Sequence, residues 1–135
     1  MKRNLKIMFL LLSFSFVIQS QTKLEERAIK AYNQKDYTKA IEKYNALSQQ
    51  KQLTSKQRLN LANSYYKIRD YKNAAKKYMS CISEGDTLSL PVYNNYLQSL
   101  KLHNYDEQSI TSAINTILDS LPKEIKHRYE ISLTE

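Results

Sequence analysis

Few residues in this chain are of the types that catalyse reactions or bind metal ions. It contains one cysteine, Cys81, and two histidines, His103 and His127. A single thiol cannot build a disulfide framework or a zinc site, and neither histidine has a carboxylate or thiol partner at ligand spacing. No nucleophile motif, phosphate-binding loop or metal-binding motif occurs. The sequence therefore predicts a non-enzymatic protein without cofactors or metal ions, with Cys81 in the core and both histidines at the surface.

The first 20 residues have the features of a secretory signal peptide. Three cations within the first six positions precede an apolar run, Ile7–Ile18. These twelve residues would span about 18 Å as a helix, short of the roughly 30 Å of a bilayer core. Length and flanking charge predict cleavage after Ser20, no membrane span thereafter, and export to the periplasm or cell surface of a Gram-negative bacterium. The alternative is an uncleaved signal that tethers the protein to the membrane.

Charged residues are abundant, and their distribution favours solvated helix faces. Adjacent carboxylates such as Glu25 and Glu26 are explained most simply in this way. The net charge is +8, and the residues after position 20 retain 18 basic and 13 acidic side chains, or +5. The lysines are scattered, and no arginine cluster or DNA-reading motif occurs, so we expect no nucleic-acid partner. The basic charge favours only weak association with anionic components of the cell envelope.

The most informative pattern is a segment that occurs twice. Residues 34–44 read QKDYTKAIEKY and residues 68–78 read IRDYKNAAKKY, with five of eleven positions identical and an offset of 34 residues. Apolar residues recur at helical intervals, and one glycine with two prolines is too few for a turn-rich β fold. A period of this length is typical of helical solenoids.

The intervals predict six helices in three antiparallel pairs. The pairs are residues 22–34 with 37–51, 55–68 with 71–84, and 91–102 with 106–120. Thr54 and Gln57 have the spacing of a capping box at the start of the third helix. Gly85 suits the left-handed position after the fourth helix, and Pro91 is tolerated in the first turn of the fifth. Pro122 is expected to end the sixth.

The turn within each pair carries a cation followed by a capping residue. The cations are Lys35, Arg69 and His103. At helix C-termini they would interact favourably with the helix dipole. The residues that follow them, Asp36, Asp70 and Asn104, are of types that cap the next helix.

Small and aromatic residues recur in a fixed order in the two copies. In the second copy they are Leu61, Ala62, Tyr65, Tyr71, Ala74, Tyr78 and Cys81. In the first they are Arg27, Ala28, Ala31, Tyr37, Ala40, Tyr44 and Leu47. Small residues let paired helices approach closely, and the tyrosines fill the neighbouring gaps. With this order and period the chain resembles a tetratricopeptide repeat (TPR) protein, of a small exported bacterial type.

The resemblance implies an all-α fold, an α-solenoid of about three antiparallel helix pairs. The implied repeats are residues 22–53, 54–88 and 89–122, which together form a domain of residues 21–122, and residues 123–135 would contribute a capping helix. The third repeat departs from the pattern. Tyr105 aligns in register, but Tyr96 takes the place of a small residue and Gln108 that of an alanine. A slip of one or two residues would instead put Ser109 or Ile110, and Ala113 or Ile114, in the core.

The resemblance also implies a function in protein binding. The first helices of TPR pairs line a concave groove, and twelve positions of this chain map to it. The predicted contact residues among them are Tyr32, Asn63, Tyr66, Lys67, Tyr93, Leu97 and Lys101. The other five are Glu25, Ile29, Asn33, Leu59 and Leu100. These residue types suit a protein or peptide partner, although some of the tyrosines could instead pack within the fold. We therefore expect a scaffold or interaction module in the cell envelope.

A structural role without a peptide ligand is the alternative. The order of the repeats, with YNNYLQSLK in the third, is similar to the N-terminal repeats of exported proteins that end in an OmpA-like domain. In that case the chain would serve as the N-terminal module of a larger envelope assembly.

Overall fold

Helices make up the regular structure of the chain in a computed structural model that describes residues 19–20, 22–83, 89–121, 123 and 126. Within these residues there are six helices of substantial length and no strand. They are α1 (residues 22–33), α2 (Tyr37–Ser48), α3 (Ser55–Lys67), α4 (Tyr71–Ser83), α5 (Leu90–Leu102) and α6 (Glu107–Ser120). The all-α prediction is confirmed, and helix ends differ from the predicted ones by at most three residues. Gly85, Pro122 and most of the predicted capping helix lie outside the described residues.

Most of the predicted helix caps are confirmed. The backbone N–H of Gln57 donates to Thr54 Oγ1 (3.3 Å), and that of Thr54 donates to Gln57 Oε1 (2.9 Å). This reciprocal pair is a capping box, and it fixes where α3 begins. Asp36 and Asp70 each accept the backbone N–H three residues ahead at 3.2 Å. Pro91 lies in the first turn of α5, as expected.

The predicted cap of the sixth helix is wrong. Asn104 does not cap α6; its φ of 59° places it in the left-handed region. The cap is Asp106, whose Oδ1 accepts the backbone N–H of Ser109 at 2.8 Å. Hydrogen bonds from Ser109 hold the pKa of the Asp106 carboxyl below its usual value. The turn before α6 is one residue longer than the earlier two, because Tyr105 separates the left-handed residue from the cap.

Three helices end with the same backbone motif, and each motif needs one residue with positive φ. After α1 the N–H of Asp36 donates to Ala31 O (2.9 Å) and the N–H of Lys35 donates to Tyr32 O (3.0 Å). This pair of bonds defines a Schellman motif, and equivalent pairs close α3 and α5. The left-handed residues are Lys35, Arg69 and Asn104, with φ of 61°, 64° and 59°. A side chain with a Cβ is unfavourable in this conformation.

Glycine should therefore stabilise the turn after α1. We expect Lys35→Gly to raise the free energy of unfolding by about 1 kcal/mol relative to Lys35→Ala, since only glycine adopts this φ without strain. Urea unfolding followed by circular dichroism measures the difference. At Glu42, in the middle of α2, the order should reverse, with alanine about 1 kcal/mol better than glycine. Equal unfolding midpoints for the two variants at position 35 would show that the turn stores no strain.

The chain divides into two compact units, Met1–Ser64 and Tyr65–Glu135, called here the N-terminal and C-terminal units. The core of the N-terminal unit contains fully buried alanines from three helices: Ala28, Ala40 and Ala62. Tyr44 and Leu47 fill the remaining space and are also fully buried. Small residues at these positions let the helix backbones approach closely, as the sequence predicts.

In the C-terminal unit, α4 packs against α5 and α5 packs against α6. Ala74 and Tyr78 are fully buried, and Cys81 is nearly so. The predicted packing role of Cys81 is therefore confirmed. From α6, Ile117 and Leu118 enter the core.

The register of α6 corresponds to the two-residue slip, one of the alternatives that the sequence allowed for the third repeat. Tyr105 is 39% exposed and Gln108 is exposed, so neither takes the core position that the TPR alignment without a slip assigns to it. Ile110 and Ile114 are half-buried and Ile117 is buried. These three follow their cap at the same intervals at which Ala40, Tyr44 and Leu47 follow theirs. The longer turn contributes one residue of the two-residue slip. The other arises at the end of α5, because Asn104 follows Arg69 by 35 residues whereas Arg69 follows Lys35 by 34.

Candidate functional site

The N-terminal unit brings together two of the seven predicted contact residues. Asn63 Nδ2 on α3 donates to Tyr32 Oη on α1 at 3.3 Å. The Tyr32 ring also makes an edge-to-face contact with Tyr37, with 5.9 Å between centroids and 71° between planes. Ile29, one turn before Tyr32, is 38% exposed. Ile29, Tyr32 and Asn63 form what we call the α1–α3 surface, which combines apolar, aromatic and amide groups.

Glu25 supports this surface from one end. Its carboxylate accepts Lys51 Nζ and also Gln57 Nε2, the latter at 2.7 Å. The prediction that Glu25 belongs to a merely solvated helix face is therefore wrong, whereas Glu26 is exposed as expected. Since Gln57 also belongs to the capping box, Glu25 connects α1 to the start of α3. The sequence offered no signal for this contact, because the residues are 26 and 32 positions apart.

Three further predicted contact residues are accessible in the C-terminal unit, two of them exposed and one half-buried. Lys67 and Lys101 are exposed in the last turns of α3 and α5. Tyr66 is half-buried, and its ring makes edge-to-face contacts with Tyr71 (5.6 Å) and Tyr78 (6.5 Å). These contacts fix the orientation of the Tyr66 ring, so it could bind a partner with little loss of conformational entropy.

Two predicted contact residues lie in the core instead. Tyr93 is 0% exposed and Leu97 is 6% exposed. The TPR pattern places Tyr93 and Leu97 on one side of α5. In the C-terminal unit that side of the helix is buried. The accessible predicted residues here are therefore Tyr66, Lys67 and Lys101.

A basic cleft of about 430 Å³ lies between α1 and α2. It is lined by Arg27, Lys30, Ala31, Gln34, Lys39 and Lys43. Lys43 Nζ pairs with Glu42 at 2.7 Å, and this hydrogen bond lowers the pKa of the Glu42 carboxyl. Arg27, Lys30 and Lys39 make no ion pair with any described residue. The cleft was not predicted, although the helical spacing of these cations within each helix would have indicated one charged side.

The residue types associated with metal or redox chemistry are dispersed. His103 is exposed after α5 and lies 5.1 Å from Tyr105, measured between ring centroids. Across the described residues, no group of three or more His, Cys, Asp or Glu side chains could hold a metal ion. None of the described helices is long and apolar enough to cross a membrane. His127 and nearly all of the predicted signal peptide lie outside the described residues.

In comparisons with known proteins, no family model, no curated protein and no solved structure matches the chain. The TPR resemblance therefore stays a prediction from the sequence.

Proposed function

We propose that this chain is a non-catalytic interaction module of the bacterial cell envelope, built as a solenoid of TPR-like helix pairs, that binds a protein or peptide partner. Two equivalent contacts support the repeat architecture. Tyr32 and Tyr37 meet edge to face at 5.9 Å and 71°, and Tyr66 and Tyr71 do so at 5.6 Å and 69°. The two pairs are 34 residues apart, and each lies across a Schellman turn. Recurrence of the same packing at this interval is what stacked repeats require.

The binding role is carried by the side chains at the end of α3. Asn63, Tyr66 and Lys67 follow one another within its last two turns. Tyrosine offers a large contact area at low entropic cost, and an amide can bond to the backbone of an extended peptide. The Asn63–Tyr32 hydrogen bond is long, at 3.3 Å, so a peptide group could replace it at little cost. Within the C-terminal unit, Tyr66 lies beside the exposed Lys67, and Lys67 and Lys101 offer positive charge to acidic groups of a partner.

The pKa shifts among the described residues arise from burial in the core or from local hydrogen bonds. This pattern agrees with a scaffold role. Burial raises the pKa of Tyr44 and of Tyr96. Hydrogen bonds lower the pKa values of Glu42 and Asp106. Catalytic sites usually combine strong desolvation with a specific charged partner, and none of these four groups has both. The envelope location in the proposal rests on the sequence of residues 1–20.

A matched pair of double variants tests the binding surface. Lys67→Ala with Lys101→Ala removes two exposed cations from the proposed surface, and Lys56→Ala with Lys123→Ala removes two exposed cations elsewhere. We expect proteins retained from an envelope extract by the wild type to be retained equally by the control. The Lys67/Lys101 variant should retain about tenfold less of these proteins. It loses two exposed ionic contacts, each worth up to about 1 kcal/mol, and tenfold in affinity corresponds to about 1.4 kcal/mol. Tyr93 is left intact, since its replacement would disturb the core.

Quantitative mass spectrometry of the retained proteins provides the measurement. Identical sets and amounts for the wild type and both variants would contradict binding at this surface. They would then favour the alternative, a structural module of a larger assembly.

A further inference from the structure

A second surface of the C-terminal unit has the form of a groove. It lies between α4 and α6 over α5 and has a volume of about 370 Å³. Its apolar floor and walls, which we call the α4–α6 groove, are formed by Ala75, Met79, Tyr96, Leu100, Tyr105 and Ala113. The floor is well packed, since Tyr96 and Leu100 are 4% and 6% exposed. The groove is therefore an apolar depression whose floor consists of well-packed side chains.

The groove arises from the departures of the third helix pair. Tyr96 stands where the repeat pattern has Ala28 and Ala62, and a tyrosine there cannot permit the close approach that alanine allows. The later end of α5 and the longer turn before α6 each add one residue, and together they shift the register of α6 by two. As a result the small side chains of Ser109 and Ala113 face the groove. The α4–α6 groove thus results from the same two departures from the TPR pattern, the tyrosine at position 96 and the shifted register of α6.

Three polar groups at the groove have no fixed partner. The Tyr96 hydroxyl makes no hydrogen bond to a described residue, and the residue as a whole is 4% exposed. Lys72 and Lys76 lie one helical turn apart on the rim, both exposed, and neither makes an ion pair with a described residue. A hydroxyl that lines the groove and two adjacent ammonium groups favour a ligand that offers acceptors beside an apolar group.

The acidic groups nearby do not neutralise this rim. Asp70 accepts Asn73 Nδ2 at 2.7 Å and also caps α4. Asp106 accepts the backbone and side chain of Ser109 and caps α6. Neither carboxylate forms an ion pair with Lys72 or Lys76, so both ammonium groups remain available to a ligand.

We propose that the α4–α6 groove binds an acidic amphipathic segment of a partner protein, with an aromatic or aliphatic side chain over Tyr96 and Leu100 and carboxylates at Lys72 and Lys76. The two lysines are spaced by one turn, and this spacing matches acidic residues one turn apart on a helical segment. The groove is open rather than enclosed, which suits a side chain presented by a larger molecule. This site is independent of the proposed α1–α3 and α5 contacts.

Peptide selection followed by affinity measurement tests the proposal. Random twelve-residue peptides displayed on messenger RNA are selected on the purified protein, with removal of those that also bind Ala113→Trp. The indole of that variant fills the groove, and its urea unfolding curve verifies that it folds. Selected peptides should carry at least two acidic residues and one large apolar residue. Fluorescence anisotropy then gives their affinities for further variants.

We expect Lys72→Glu with Lys76→Glu to weaken binding at least tenfold, and Tyr96→Phe to weaken it about threefold. The matched control, Lys30→Glu with Lys39→Glu in the basic cleft, makes the same change of charge and should alter affinity less than twofold. The proposal fails if no peptide distinguishes the wild type from Ala113→Trp, or if the selected peptides lack acidic residues. It also fails if the control weakens binding equally. A dimer of the purified protein that Ala113→Trp dissociates, seen by sedimentation, would assign the groove to a second copy instead.

Discussion

Replacing Tyr44 with alanine should lower the free energy of unfolding by about 3–5 kcal/mol, a large part of the stability of a domain of this size. Tyr44 is fully buried in the N-terminal unit, and its hydroxyl accepts Asn60 Nδ2 at 3.0 Å. Alanine would leave a cavity among the close-packed helices. It would also leave the buried amide of Asn60 without its acceptor, and both effects destabilise the fold.

Two control variants separate these contributions. Tyr44→Phe keeps the ring and removes only the acceptor, so it should cost about 1–3 kcal/mol. Tyr105→Ala removes a tyrosine that is 39% exposed, and we expect it to cost about 1 kcal/mol or less. Urea unfolding monitored by circular dichroism yields all three values. If Tyr44→Ala and Tyr105→Ala have the same unfolding midpoint, the packing assigned to Tyr44 is wrong.

The second large effect concerns the alanines between helices. We expect Ala62→Leu to destabilise the protein by about 3 kcal/mol, since Ala62 is fully buried and three added carbons must displace neighbouring backbone. The matched control is Ala113→Leu, which adds the same atoms to a half-buried alanine lining the α4–α6 groove. There we expect a change within about 0.5 kcal/mol.

Calorimetric melting of the two leucine variants provides the comparison. A lower melting temperature for Ala62→Leu and an almost unchanged one for Ala113→Leu would agree with close helix contact at the first position and open space at the second. Equal melting temperatures would contradict both descriptions.

The sequence predicted the helices well because their signals are local. Apolar spacing located all six, and the Thr54–Gln57 pair marked the start of α3. The burial of Cys81 also followed from its place in the pattern. Each of these inferences uses residues within a few turns of one another, where helix geometry fixes which side chains are neighbours.

Contacts between helices were harder to predict. The Asn60–Tyr44 hydrogen bond joins residues 16 positions apart, and no motif relates their types. The extra residue before α6 was also missed, because Asn104 and Asp106 are both suitable caps and composition does not choose between them. Periodicity places Tyr93 on one side of α5, but whether that side is covered depends on the packing of the whole unit.

Site-specific photo-crosslinking in living cells tests most directly whether the ends of α3 and α5 contact a partner. A photoreactive phenylalanine analogue is placed at Lys67, at Lys101, or at Thr111, an exposed position on α6 that serves as the control. We expect light to produce one covalent adduct of the same mass at Lys67 and Lys101 and none at Thr111. No adduct at Lys67 and Lys101, or the same adduct at all three positions, would contradict partner binding at this surface.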